Sequence, residues 1–230
     1  MATDRRTRIM AKLSAGGGER SSARLCEVST EITGLTGGGV MLMSGDVPAG
    51  SLCSSNEVSA LIEDLQYSLG EGPCVDAYRQ DRVVVDADLA DPGRTRWPAF
   101  APPALGAGVR AVFGFPLRVG AVRLGALNLY RDRPGPLSDD RHANALVMAD
   151  VAANWVLDMQ ANALPGHLAT EIEADADFHF LVHNAAGIVS VQLGGSVTDA
   201  LIRLRAYAFS HDRPLAEVAR DVVARTLRLD

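Results

Sequence analysis

Lysine is almost missing from this chain: of 22 basic residues only Lys12 is not arginine, a bias of codon composition more than of chemistry. Cysteine is scarce too. Cys26, Cys53 and Cys74 form an odd set with no C-x-x-C pair and no histidine at metal-ligand spacing. That argues against a zinc module and against a disulfide framework, and it fits a reducing compartment. The first 22 residues carry no apolar run of signal-peptide length, so the expected location is the cytoplasm. No G-x-S-x-G, Walker loop or catalytic Cys–His arrangement occurs, which leaves catalysis without support. The five histidines fall on separate expected elements, and Asp86, Asp88 and Asp91 lack the closing glutamate of a calcium loop. No metal site is expected, and the sequence specifies no cofactor.

What the chain does have is aliphatic bulk. Its 230 residues are 47% hydrophobic and 22% charged, with a formal net charge of −6. That is enough for cores in one large domain or two small ones, and too apolar for general disorder. The acidic balance argues against coating nucleic acid broadly but leaves room for a local binding face. Residues 178–198 hold no Asp, Glu, Lys or Arg, which is membrane-spanning length. His179, His183, Asn184, Ser190 and Gln192 interrupt the stretch, while Phe178, Leu181, Ala185 and Ile188 recur at helical spacing. An amphipathic helix outside any membrane is expected.

Residues 1–22, polar and glycine-rich at 16–18, are expected to be mobile. From 23 to 160 helix and strand signals mix. Helices are expected at 23–33 and at Asn56–Leu69 (through Val58, Leu61, Ile62, Leu65 and Leu69), with a short one near Cys74–Arg79. Strands are expected at Val40–Met43, after a glycine break at 37–39, and at Gly50–Ser54 and Val83–Val85. Arg110–Val119 and Ala121–Arg131 read as a hairpin across Gly120, followed by a helix from Ser138 or Asp139 to about Met159. Pro165-Gly166 and the acids at 171, 173, 175 and 177 mark a linker at 161–174. Residues 175–230 then read as three helices: 175–193, a second opened by a Ser196/Asp199 capping box, and a third from Pro214 to about Arg228. The fold class is α+β, an antiparallel sheet with flanking helices followed by a three-helix bundle.

Two resemblances rest on particular residues. Within 183–223 stand Ala185-x-Gly187-Ile188-Val189, Ser196-x-x-x-Ala200, Leu204-Arg205-x-x-Ala208 and Leu215-Ala216-Glu217-Val218-Ala219. In one register without insertion, this segment resembles the ANTAR domain, a three-helix RNA-binding module of transcription antiterminators. It departs from that pattern at Ala186, where the family often has Lys, and at Leu201, where it often has an aromatic. Leu69-Gly70-Glu71-Gly72-Pro73-Cys74, the Arg110–Leu117 strand and Gly125-Ala126-Leu127-Asn128-Leu129-Tyr130 resemble a GAF domain, a sensory or structural pocket. The pair of resemblances implies an antitermination regulator that binds hairpins in nascent RNA under control of a GAF-like sensory or dimerisation domain. Arg203, Arg205, Arg213 and Arg220 are then the expected RNA contacts, and Glu71 and Cys74 the expected contacts of a small ligand. Two alternatives stay open: a ligand-sensing adaptor whose bundle associates with protein only, and an enzyme of reductase type resting on Cys53 and Cys74.

Helical spacing puts Arg205 at the edge of a buried stripe formed by Ala200, Leu201, Leu204 and Ala208, with Arg220 on the outer face of the third helix. Residues 181–229 hold six arginines against four acids, a local net of +2. Such a set contacts phosphates and unpaired bases, or is an ordinary solvated face. Gly187 in mid-helix is expected to permit close helix approach. Cys74 is either a buried structural thiol or a redox-sensitive one at a helix start. Surplus apolar residues on the helix at 138–160, and a second strip of Ile202, Ala206 and Phe209, lead to the expectation of a homodimer.

Overall fold

A computed structural model describes residues 2–15, 21–45, 47–93, 96–162 and 176–229, so the expected linker falls almost wholly outside the described residues. The chain forms two compact units, Met1–Leu168 and Ala169–Asp230. The first contains α1 (Ala2–Ser14), α2 (Ser22–Thr33), β1 (Gly37–Ser44), β2 (Val47–Ser54), α3 (Glu57–Leu69), α4 (Pro73–Gln80), β3 (Val84–Asp86), α5 (Ala101–Gly106), β4 (Ala111–Val119), β5 (Val122–Arg131) and α6 (Asp139–Asn162). Its five strands run in the order β2-β1-β5-β4-β3, every neighbouring pair antiparallel. β4 and β5 form the expected hairpin, with Gly120 in the left-handed conformation at φ 58°.

Alternation along the strands divides the sheet into two chemically different faces. Val40, Phe113, Phe115, Leu127 and Leu129 point to one side, where they join Leu25 and Val28 of α2 and Met148 and Ala152 of α6 in the main apolar core. The opposite side carries Gly39, Gly114 and Asn128, which are paired with one another across β1, β4 and β5. α3 and α4 lie on that side.

Several expectations change. Residues 2–14 are helical, because Ile9 is fully buried and Arg5 and Arg6 of α1 pair with Asp140 and Asp150 of α6. The docking acids lie about 135 positions away, beyond the reach of any local reading. With α1 and α2 packed on it, α6 uses much of its surplus apolar surface within its own chain, leaving Leu146 exposed. β1 includes the glycines expected to precede it: Gly37 and Gly38 pair with Tyr130 and Leu129, and a Cβ at Gly37 would lie 2.3 Å from the Tyr130 ring.

Cys26 and Cys53 are disulfide-bonded, with Cα atoms 6.0 Å apart, contrary to the argument against disulfides, and the cysteines therefore no longer speak for a reducing compartment. They are 27 residues apart and meet only because α2 packs against β2. Both are buried, which shields the bond from attacking thiolates.

The second unit is α7 (Ala176–Leu193), α8 (Val197–Ser210) and α9 (Leu215–Val223). The expected capping box is present: Ser196 Oγ accepts from Asp199 N at 3.1 Å, and Asp199 Oδ2 accepts from Ser196 N at 3.3 Å. α9 ends well before the expected Arg228. Arg225 adopts φ 60°, Thr226 and Leu227 donate their amides to Asp221 O, and the chain turns back until Leu229 N meets Gln192 Oε1 at 3.3 Å. No single helix among the described residues is long and apolar enough to cross a membrane.

Replacing Cys53 by Ser should lower stability by about 2–4 kcal/mol in non-reducing urea titrations. Wild type and variant should converge once the bond is reduced in denaturant.

Candidate functional site

The face of α3 that meets the sheet is not the apolar stripe read from spacing. Ser59, Ile62, Glu63, Gln66 and Tyr67 are buried, whereas Leu61 is exposed. The stripe is rotated because β1 offers glycine there: a Cβ at Gly39 would lie 2.7 Å from Glu63 Oε1. Asn128, on the central strand opposite Gly39, donates Nδ2–H to Glu63 Oε1 at 3.1 Å. Gln66 Oε1 accepts the Cys74 amide at 2.7 Å and so joins α3 to the first turn of α4. The Cys74 thiol faces Ala126 O at 3.9 Å.

This cluster is buried and incompletely satisfied by protein groups. Glu63 is 1% exposed, and Gln66, Cys74 and Asn128 are equally buried. Glu63 Oε2, Gln66 Nε2 and Asn128 Oδ1 have no hydrogen-bond partner. Burial pushes the Glu63 carboxyl up to about 8, against the pull of the Asn128 hydrogen bond. The Cys74 thiol is pushed up as well, by burial first and by Glu63 second. A neutral acid and two amides can hold a small polar guest by hydrogen bonds. A protonated, buried thiol is a poor nucleophile, so the structure favours the structural reading of Cys74.

Of the two expected ligand contacts, only Cys74 belongs to this cluster. Glu71 Oε1 accepts the amides of Ala99 and Phe100 at 2.7 and 2.8 Å, fixing the chain that leads into α5. That oxygen is engaged by backbone, which sets Glu71 apart from the Glu63 cluster. Residues 69–78 are packed rather than lid-like, with Pro73, Cys74, Val75 and Ala77 buried. Glu63, Gln66 and Asn128 were not singled out from sequence, since polar residues on an otherwise apolar helix and strand give no sign of which face they take.

The helical unit buries Val182, Ala185, Ala186 and Val189 of α7, Ala200, Leu201, Leu204 and Ala208 of α8, and Leu215, Val218, Ala219 and Val222 of α9. Its four expected RNA contacts separate into three environments. Arg203 and Arg220 are exposed. Arg213 is half-buried and holds Asp221 at 2.7 Å, with Glu217 at 3.9 Å; the Asp221 hydrogen bond raises its pKa further. Arg205 is 9% exposed, inside the bundle rather than at the edge of its stripe. Truncating this buried side chain would empty core volume. Gly187 does not serve helix approach, because no atom lies within 4 Å of where its Cβ would be.

The family model of the GAF domain matches residues 22–155. The chain belongs to the GAF-domain family. Among solved structures, the GAF domain of a phosphoenolpyruvate-protein phosphotransferase from Acinetobacter superposes with a TM-score of 0.53 at 13% identity, over 70% of this chain and 96% of that one. The corresponding domain from Coxiella burnetii gives 0.51 at 11% identity, over 70% and 95%. At such identities the likeness establishes the fold, not a ligand. No curated protein matches the chain. Within the GAF domain, the Glu63 cluster lies between the sheet and α3/α4.

Folded Glu63 keeps its proton up to pH about 8, whereas the unfolded carboxyl loses it near 4.5. The folded state therefore binds more protons between those values, and stability should fall as pH rises through that window. Glu63→Gln should flatten the dependence, gaining on the order of a few kcal/mol over wild type by pH 8. Urea titrations at pH 5 and 8 test this; parallel losses in both proteins would refute it.

Proposed function

We propose that the chain is a cytoplasmic, non-enzymatic regulator whose GAF domain senses or assembles and whose helical unit binds hairpins in nascent RNA, favouring antitermination. One observation carries the reading. Eight apolar residues of the ANTAR-like pattern, Ala185, Val189, Ala200, Leu204, Ala208, Leu215, Val218 and Ala219, are buried in a single three-helix unit. The capping box opens the second helix at the place that pattern requires. Arg203, Arg220, Arg225 and Arg228 are exposed around this core, and single-stranded loops are read by such guanidinium groups.

A second reading, a protein-associating adaptor, is favoured by α8. Ile202 is 56% and Phe209 69% exposed, so the second apolar strip of that helix is largely uncovered by the described residues. The same strip, with Leu146 on α6, is compatible with a homodimer, which light scattering at tens of micromolar would register as twice the chain mass.

A gel shift of the full chain with tandem-hairpin RNA separates the two readings, a shift being expected for the first and none for the second. Arg220→Ala should weaken binding a few-fold across RNA sequences and make the salt slope shallower by roughly one. Arg205→Ala should instead lower the melting temperature, in line with a loss of about 1–3 kcal/mol for a buried side chain. An Arg205→Ala protein that melts like wild type and binds RNA more weakly would reverse that assignment.

A further inference from the structure

We propose that the cleft between α7 and the segment following α9 seats one unpaired nucleotide of the RNA, its base against Ile188 and Val191 and its phosphate on Arg225. This deepens the RNA reading and rests on it. The cleft has a volume of about 680 Å3, within the range of small-molecule sites, and Gly187, Ile188, Val191, Arg225, Leu227 and Arg228 line it.

Two departures from local rules meet in this one place. Gly187 stands in the middle of α7, where any ordinary residue would favour the helix more, and its missing side chain faces open space rather than a neighbouring helix. Arg225 stands just past the end of α9 in the left-handed conformation at φ 60°, a position usually given to glycine or asparagine. Packing accounts for neither residue. A cleft that must stay open accounts for the first, and a guanidinium required at its rim accounts for the second; such joint exceptions are the mark of a functional site.

The lining gives the chemistry of the guest. Val191 is 83% exposed and Ile188 is half-buried, so the cleft offers an apolar surface to solvent. Arg225 and Arg228 contribute two positive charges, and no acid is among the residues that line it. A flat apolar group carrying an anion fits that combination, and a nucleotide is such a group. The nucleotide must be unpaired, because a base in a duplex is stacked between its neighbours and cannot turn into a side-chain cleft. The apolar strip of Ile202 and Phe209 lies on α8, which contributes nothing to this lining.

The test uses the full chain and a fluorescent pool of tandem-hairpin RNAs with randomised loops, read by anisotropy, with melting temperatures measured on the same samples. Gly187→Met fills the cleft while adding a better helix former, and Arg225→Gly removes the guanidinium while easing the backbone. Each should bind RNA at least fivefold more weakly than wild type with an unchanged or higher melting temperature. If wild type binds and either variant loses less than that, or loses binding together with melting temperature, the cleft proposal is overturned and the RNA reading stands. If wild type binds no RNA, both fall.

Discussion

At Gly114 the carbonyl of Pro73 lies where a side chain would begin: a Cβ there would sit 2.4 Å from that oxygen. This backbone-to-backbone contact lets α4 descend onto β4, and much of the GAF domain's second face follows from it. Once α4 is down, the Cys74 amide meets Gln66, α3 is drawn over β1, and Glu63 settles into the space above Gly39. A larger residue at either glycine would lift a helix and let water reach the acid. The close approach is thus what makes the interior dry, and dryness is what keeps Glu63 neutral and Cys74 a thiol.

The two faces of the sheet do different work for that reason. Toward α2 and α6 the strands present large apolar side chains, a disulfide ties helix to strand, and the interior is ordinary core. Toward α3 and α4 they present glycine and asparagine, leaving three buried polar atoms unpaired. Unpaired groups cost stability, so burying these three atoms on this face is unfavourable unless something else satisfies them.

In the helical unit the arginines sort by environment rather than by sequence. Arg205 is enclosed by the bundle, Arg213 is held by Asp221 across the turn into α9, and Arg203, Arg220, Arg225 and Arg228 remain at the surface. The Arg213–Asp221 pair withdraws one charge of each sign and leaves the local net of +2 unchanged, while the burial of Arg205 takes one positive charge from the surface.

Several local patterns read correctly, although the local turn at Arg225 that ends α9 early did not. The helix starts at Asn56 and Ser196, the hairpin across Gly120 and the helix breaks at Gly70 and Gly194 are decided by side chains reaching amides a few residues away, or by backbone that only glycine adopts readily. The arrangement of antiparallel strands with flanking helices followed by a helical unit was legible on the same grounds. The docking of α1 was not, because the acids that hold Arg5 and Arg6 lie on α6. Nor was the pairing of Cys26 with Cys53, the engagement of Glu71 by the amides of Ala99 and Phe100, or the interior place of Arg205. Hydrophobic spacing on α3 pointed to Leu61 and Leu65, yet the sheet took Glu63 and Gln66, since glycines on another strand had made room for them. Sequence by itself determined most of the segments that became helix and strand, because those choices are made within a few residues, while α1 and the glycine start of β1 were decided by distant partners. Tertiary structure alone decided which polar groups became buried, paired or exposed, because burial depends on what distant chain arrives to exclude the water.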